Sequence, residues 1–158
     1  MKKWSFPVSE LVERAPQLGR VEGVALRPKR REPLVPVQSW DLAARRIDHG
    51  RPGKREVTLI QAEHVVVVGQ LLGRPVDYLI LRRNVLVSGV NLLSLLGRRF
   101  AVGGVVLEAT GVCDPCERME EVLGEGGHAA MIGHGGICAQ VVEPGLLAVG
   151  DTLRPAWR

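Results

Sequence analysis

The chain has 158 residues, 46% of them hydrophobic, a net charge of +4 and only three Trp, one Tyr and two Phe. That apolar share supports one domain with its own core and excludes an unfolded polar chain. The scarcity of aromatics argues against a stacking surface for single-stranded nucleic acid, and three cysteines do not make a disulfide framework. No apolar run approaches the roughly 20 residues of a membrane-spanning helix. The opening Met1-Lys2-Lys3-Trp4 is not followed by an apolar signal core. The expectation is a cytoplasmic protein with reduced thiols and no membrane contact. Positive charge gathers at residues 27–31, 45–46, 51–55 and 82–83. Such runs suit a solvated surface and equally an anion site, because arginine presents a planar fork of donors.

Residues 1–18 read as an N-terminal extension, with a short helix from Ser9 to Arg14 ended by Pro16. Alternation over 19–27 predicts a strand. A second is expected over 34–40, with Pro36 favouring a sheet edge. Residues 41–54 carry charges, Gly50, Pro52 and Gly53 and read as a long loop. Residues 56–60 form the next strand. The segment 61–72 contains Val65 to Val68, a strand-favouring run, but its length and the Gly73 stop predict a helix. A strand at 86–88 and a helical turn closed by Gly97 follow. A hairpin is expected from 98–101 to 105–109 across Gly103-Gly104. After a helix at 117–123, the glycine-rich stretch 124–136 reads as a loop with one helical turn near Met131. Strands at 137–142 and 146–153 follow, the second broken by Gly150-Asp151, and residues 156–158 form a tail. Many short strands with few helices indicate a mainly β chain, a barrel or sandwich.

The run Gly111-Val112-Cys113-Asp114-Pro115-Cys116-Glu117 concentrates the chemistry. A strand leads in and an amphipathic helix leads out. Asp114 suits an N-cap, Pro115 the first helical position, and Glu117 a capping-box carboxylate. This places Cys116 in the first turn of a helix, where a thiolate is favoured. A nucleophile, a sulfur carrier and a soft-metal ligand all fit. Cys113 and Cys116 form C-x-x-C. It can be a redox pair, a zinc half-site completed by His128 and His134 or Cys138, or a reactive Cys116 with Cys113 as a helper thiol. Arg82, Arg83 and Asn84 precede a strand as a compact polar group suited to a phosphate and a polar ligand atom. His134, in Gly133-His134-Gly135-Gly136, is a candidate acid–base or metal group.

Several of these segments together resemble the MOSC family, the domain also found at the C-terminus of molybdenum-cofactor sulfurases. They are residues 81–92 (Leu-Arg-Arg-Asn-Val-Leu-Val-Ser-Gly-Val-Asn-Leu), Leu95-Leu96-Gly97-Arg98-Arg99-Phe100, Gly111 to Cys116 and Ala148-Val149-Gly150-Asp151, with 19–26 and 55–60 as opening strands. The resemblance spans about residues 19–155. It implies a closed or partly open β-barrel like the small domain of pyruvate kinase, with a few short helices. It identifies Cys116, the cysteine after proline, as the ligand for molybdenum of a pterin cofactor or as a persulfide carrier. It implies that Arg83 and Asn84, and less directly Arg82, bind the cofactor; Lys54 and Arg55, beside a glycine-containing loop, are further candidate anion contacts, and Thr110 a further candidate cofactor contact. Many members carry a Gly-Asp-Arg-His-like segment where this chain has Arg45-Arg46-Ile47-Asp48-His49-Gly50-Arg51, so Asp48 and His49 are further candidates. The implied activity is reduction of N-hydroxylated compounds. Since the chain has no flavin or nicotinamide motif, electrons would come from a partner reductase. For a sulfur carrier the partner would instead be a pyridoxal-phosphate cysteine desulfurase. A ligand-binding barrel without catalysis is the third reading.

Overall fold

Alternating apolar residues build a sheet that closes on itself. The computed structural model describes residues 6–14, 17–43 and 53–156. In chain order these form α1 (Val8–Leu11), β1 (Gly19–Leu26), β2 (Val35–Val37), β3 (Ser39–Asp41), β4 (Val57–Gln61), α2 (Ala62–Leu72), a 3-10 turn (Tyr78–Leu81), β5 (Val85–Ser88), a second 3-10 turn (Leu92–Leu95), β6 (Arg99–Val102), β7 (Val105–Val112), α3 (Glu117–Leu123), α4 (Gly127–Met131), β8 (Ile137–Glu143), β9 (Leu146–Ala148) and β10 (Thr152–Pro155). Seven of the described strands run β10-β6-β7-β8-β4-β5-β1, and β1 returns to β10 through Gly19↔Leu153 and Arg20↔Thr152. The result is a closed barrel. β2 extends β1 beyond the barrel, and β3 pairs separately with β9. The barrel pairings are antiparallel except β4 with β5, which needs a crossover; α2 supplies it.

The barrel interior is filled by Val21, Val24, Leu59, Val85, Phe100, Leu107, Ile137 and Leu153, all buried. β4 is buried along its whole length. Leu59 joins the interior cluster, while Ile60 joins a second cluster with Val68 of α2, Met119 and Leu123 of α3, and Met131 of α4. Each large apolar side chain buried this way contributes about 2 kcal/mol. The helix layer therefore anchors α3 against the outside of β4, and with it the cysteine that precedes α3.

The expected strand at 34–40 is two strands. Gln38 breaks the run and its carbonyl accepts from Val149 N (2.9 Å). The chain thus leaves β1 and pairs with β9. The break at 150–151 is equally defined: Asp151 Oδ2 accepts from Ala148 N (2.8 Å), and Gly150 has φ 92°. The helix expected at 9–14 is the single turn Val8–Leu11, with no buried residue. Asp48 and His49 lie outside the described residues.

Two contacts in the glycine-rich stretch fix the approach to β8. Gly136 is left-handed (φ 84°), and a Cβ there would lie 1.8 Å from the Leu59 carbonyl oxygen. Glu120 accepts from Gly126 N and His128 N, both at 2.8 Å, so a side chain of α3 caps α4. The His128 and Gly126 amides hold the Glu120 carboxyl below its ordinary range. Gly136→Ala is expected to lower the free energy of unfolding by about 3 kcal/mol, measured by urea denaturation. For Glu120, a depressed folded pKa means stability is present above the ordinary glutamate range and lost as pH falls through the folded value. Glu120→Ala is therefore expected to lower Tm at pH 7, with the gap to wild type shrinking as both are titrated to about pH 3.

Candidate functional site

A cavity of about 470 Å³ opens where the end of β1, the start of β4, the turn before β5 and the 113–119 segment meet. Arginines from four separate parts of the chain line it: Arg27, Arg55, Arg82 with Arg83, and Arg118. Facing them are the carboxylates Glu56 and Asp114. A second hollow of about 280 Å³ shares Arg82, Cys116 and Arg118 with the first and adds Arg30 and Arg31 together with the carboxylates Glu117 and Glu121. Cys116 therefore stands at the junction of two cationic recesses.

The turn before β5 carries strain at this point. Among the described residues, the non-glycine positions with left-handed backbone are Arg31 (φ 68°) and Arg82 (φ 61°), each costing roughly 1 kcal/mol. Both border the site. The arginines are held by main-chain oxygens. Arg82 donates to the Glu32 carbonyl (2.6 Å), Arg118 to the Arg31 carbonyl (3.3 Å) and Arg27 to the Arg82 carbonyl (3.4 Å). These bonds strap the segment between β1 and β2 across the mouth of the site. Burial, then the Arg27 and Arg118 guanidiniums, pull Arg82 below the usual arginine range. The Nε atoms of Arg27 and Arg118 are buried with no hydrogen-bond partner. Five arginines against two carboxylates leave the cavity net positive, and its buried unpartnered donors suit an oxyanion.

Arg83 and Asn84 line the cavity but are committed to the framework. Arg83 donates from Nε to the Gly135 carbonyl (2.8 Å) and from Nη1 to the Leu81 carbonyl (2.6 Å). Asn84 Oδ1 accepts from Thr58 N (3.1 Å) and the Thr58 hydroxyl (3.0 Å), while its Nδ2 donates to the Ala25 carbonyl (3.2 Å). The pair thus ties β1, β4 and the 133–136 turn together beneath the arginines.

Cys116 is exposed, whereas Cys113 and Cys138 are buried. The local capping differs from the sequence expectation. Cys116 itself is the N-cap of α3, with extended backbone (φ −116°, ψ 177°). Cys113 N still donates to the Gly136 carbonyl (2.9 Å), so the chain stays extended past β7. Proline also disfavours helical backbone at Asp114. The helix begins two residues later than an Asp114 cap requires. Arg55 Nη2 donates to the Cys113 thiol (3.9 Å).

Other candidates fall around the site. The Thr110 hydroxyl bonds the Lys54 carbonyl and reaches that of Cys138 (3.2 Å), so it braces the floor. Neither Thr110 nor Lys54 is among the residues lining the cavity; Arg55 is. His134 bonds the Ala130 carbonyl (2.9 Å) and packs edge-on against His64, with ring centroids 5.1 Å apart. Among the described residues no three His, Cys, Asp or Glu side chains converge as a metal set, which removes support from the zinc arrangement. Arg27, Arg118 and Thr58 were not singled out as site residues from sequence. Only the charge run at 27–31 hinted at Arg27.

The MOSC domain family matches residues 44–154. The chain belongs to the MOSC domain family. The barrel is similar in fold to several solved structures. The YuaD protein of Bacillus subtilis has TM-score 0.74 and 20% identity, over 89% of this chain and 97% of that one. YiiM from Geobacillus stearothermophilus gives 0.73 and 18%, over 89% and 76%. YiiM from Escherichia coli gives 0.67 and 15%, over 88% and 70%. At these identities the likeness is one of fold. No curated protein matches the chain in sequence. As a MOSC domain it belongs to a family generally associated with molybdenum-cofactor binding. No described helix is long and apolar enough to cross a membrane.

The network beneath the arginines predicts the effect of breaking it. Asn84→Ala leaves the Thr58 amide and the Ala25 carbonyl unpaired in a buried site. It is expected to cost about 2 kcal/mol in denaturant-measured stability.

Proposed function

We propose that this MOSC domain binds a molybdenum–pterin cofactor, with Cys116 as the metal ligand and Arg27, Arg82 and Arg118 on the cofactor phosphate. The observation that carries the reading is the pairing of one exposed thiol with buried arginine donors that have no partner. The residues fit such a group. A soft thiolate suits molybdenum, planar guanidinium forks suit a phosphate, and about 470 Å³ lies within the range of small-molecule sites. Bound there, the cofactor would supply redox chemistry, in line with the reduction of N-hydroxylated compounds that the family resemblance implies. The chain's own part is to hold and orient. The arginines neutralise the anion, Arg83 and Asn84 keep the turn beneath them rigid, and the outer recess beside Arg30 and Arg31 leaves room for a substrate against Cys116. An electron-donating partner reductase completes this reading.

The exposure of Cys116 supports a second reading. A thiol open to solvent can be loaded as a persulfide by a pyridoxal-phosphate cysteine desulfurase and can pass that sulfur on. One experiment separates the two. The protein is purified from cells that make the cofactor, and molybdenum and pterin are measured in wild type, Cys116→Ala and Arg118→Ala. Near-stoichiometric metal in wild type, lost in Cys116→Ala and reduced in Arg118→Ala, is the expected result. Absence of metal together with a cyanide-labile sulfur on Cys116 after desulfurase treatment overturns it in favour of the carrier. Absence of both leaves a non-catalytic ligand-binding barrel.

A further inference from the structure

The arginines of the cavity also hold down the chain that crosses its mouth. Residues 28–33 belong to the link between β1 and β2, and residues 29–33 of it are exposed. Two arginines of the site bond this segment to the rest of the domain. Arg118 Nη2 donates to the Arg31 carbonyl (3.3 Å), and Arg82 Nη1 donates to the Glu32 carbonyl (2.6 Å). Within the segment, Glu32 N donates to the Lys29 carbonyl (3.2 Å), and the Lys29 ammonium faces the Glu32 carboxylate at 3.9 Å. Arg31 is held with left-handed backbone (φ 68°).

On Arg118 the Arg31 carbonyl occupies one end of a donor edge whose other end has no partner. Nε and Nη2 lie along one edge of a guanidinium plane, and that edge can grip two oxygens of a phosphate or carboxylate at once. Arg118 Nε is buried without a partner. So is Arg27 Nε, while Arg27 Nη2 reaches the Arg82 carbonyl at 3.4 Å. At 3.3 and 3.4 Å these bonds are longer than the usual N–H···O range, and their acceptors are neutral. An oxyanion offers the same edges charged oxygens and satisfies the orphaned Nε atoms as well, so it outcompetes the carbonyls. The inner cavity carries the larger excess of cations, five arginines against Glu56 and Asp114. In the outer recess Glu117 and Glu121 oppose four. The anion therefore lodges in the inner cavity.

We propose that residues 28–31 are an anion-released strap: an oxyanion bound in the inner cavity takes the Nε–Nη2 edge of Arg118, the Arg31 carbonyl is let go, and the strap lifts while Glu32 stays tied to Arg82. This rests on the reading that the cavity arginines bind an anion, and adds how occupancy changes the site. Release lets Arg31 leave its left-handed backbone, so strain favours the open form. Arg30 and Arg31 border the outer recess beside Cys116. Lifting the strap widens the approach to that thiol, and anion occupancy is thereby coupled to access at Cys116.

The strap carries its own reporter, because trypsin cuts after lysine and arginine and Lys29, Arg30 and Arg31 are exposed. The full chain is digested briefly in inorganic phosphate or in chloride at equal ionic strength, and the cuts are mapped by mass spectrometry. A small trypsin substrate in the same tube corrects for any effect of phosphate on the protease. Phosphate binding to the same protein is followed by titration calorimetry. Phosphate is expected to bind and to speed cleavage after residues 29–31 about fivefold, the restraint of one hydrogen bond. In Arg118→Ala cleavage there is already fast in chloride, and phosphate adds nothing. Binding with unchanged or slower cleavage in wild type overturns the strap and leaves the anion reading standing. No binding in wild type overturns both. A response in Arg118→Ala equal to that of wild type overturns Arg118 as the latch. The paired wild-type measurements decide the matter even if the variant fails to fold.

Discussion

The side-chain amide of Asn84 joins β1 to β4 at the mouth of the barrel, and the site hangs on that joint. Its carbonyl takes both the Thr58 amide and hydroxyl, and its nitrogen reaches Ala25. These bonds fix the start of β5 against its neighbour β4, the one parallel pairing of the barrel. The strained Arg82 immediately precedes this point. A left-handed arginine is tolerated because the residues that follow it are locked. Arg83 extends the same lock to Gly135, so the arginine turn and the cysteine segment share one scaffold.

β4 relates the barrel to the helix layer. Its alternate side chains are buried on both faces, Leu59 among barrel residues and Ile60 among helix residues. Movement of α3 would therefore disturb Met119 and Leu123 against Ile60 before it disturbed Cys116. The thiol sits at the end of a helix that is fixed at its far end too, where Arg74 of the α2 exit donates to the Leu123 carbonyl. A functional group on a short element is made precise by packing behind it, not by the element's own length.

Much of this was legible in the sequence, and the parts that were not have a common cause. The helix 62–72 was readable despite its valine run, because Gly73 ends it in a left-handed cap. The hairpin across Gly103-Gly104 and the helix at 117–123 follow from local turn and periodicity signals. The cap of α3 was misplaced because local rules favour Asp114, whereas the Cys113–Gly136 backbone bond extends the chain past it. That bond joins residues from separate elements and leaves no local trace. Arg27, Arg83 and Arg118 converge only after the barrel closes, so composition could show a cationic chain but not a cationic cavity. Asn84 reads as a ligand-binding residue in sequence; its burial and its bonds to two other strands come from the fold.

Closure of the barrel also governs how the molecule meets its own copies. A sheet edge exposes unpaired amides and carbonyls that can recruit a strand from another chain. In the barrel, β1 and β10 satisfy one another, so the sheet has no terminal strand at that seam. What remains beside β1 is β2, three residues long with Pro36 at its centre. Proline has no N–H to offer, and the short edge around it makes a poor template for intermolecular β-pairing. The separate pair of β3 and β9 is equally short, three residues each, so the edges among the described strands offer little length for another chain to pair with.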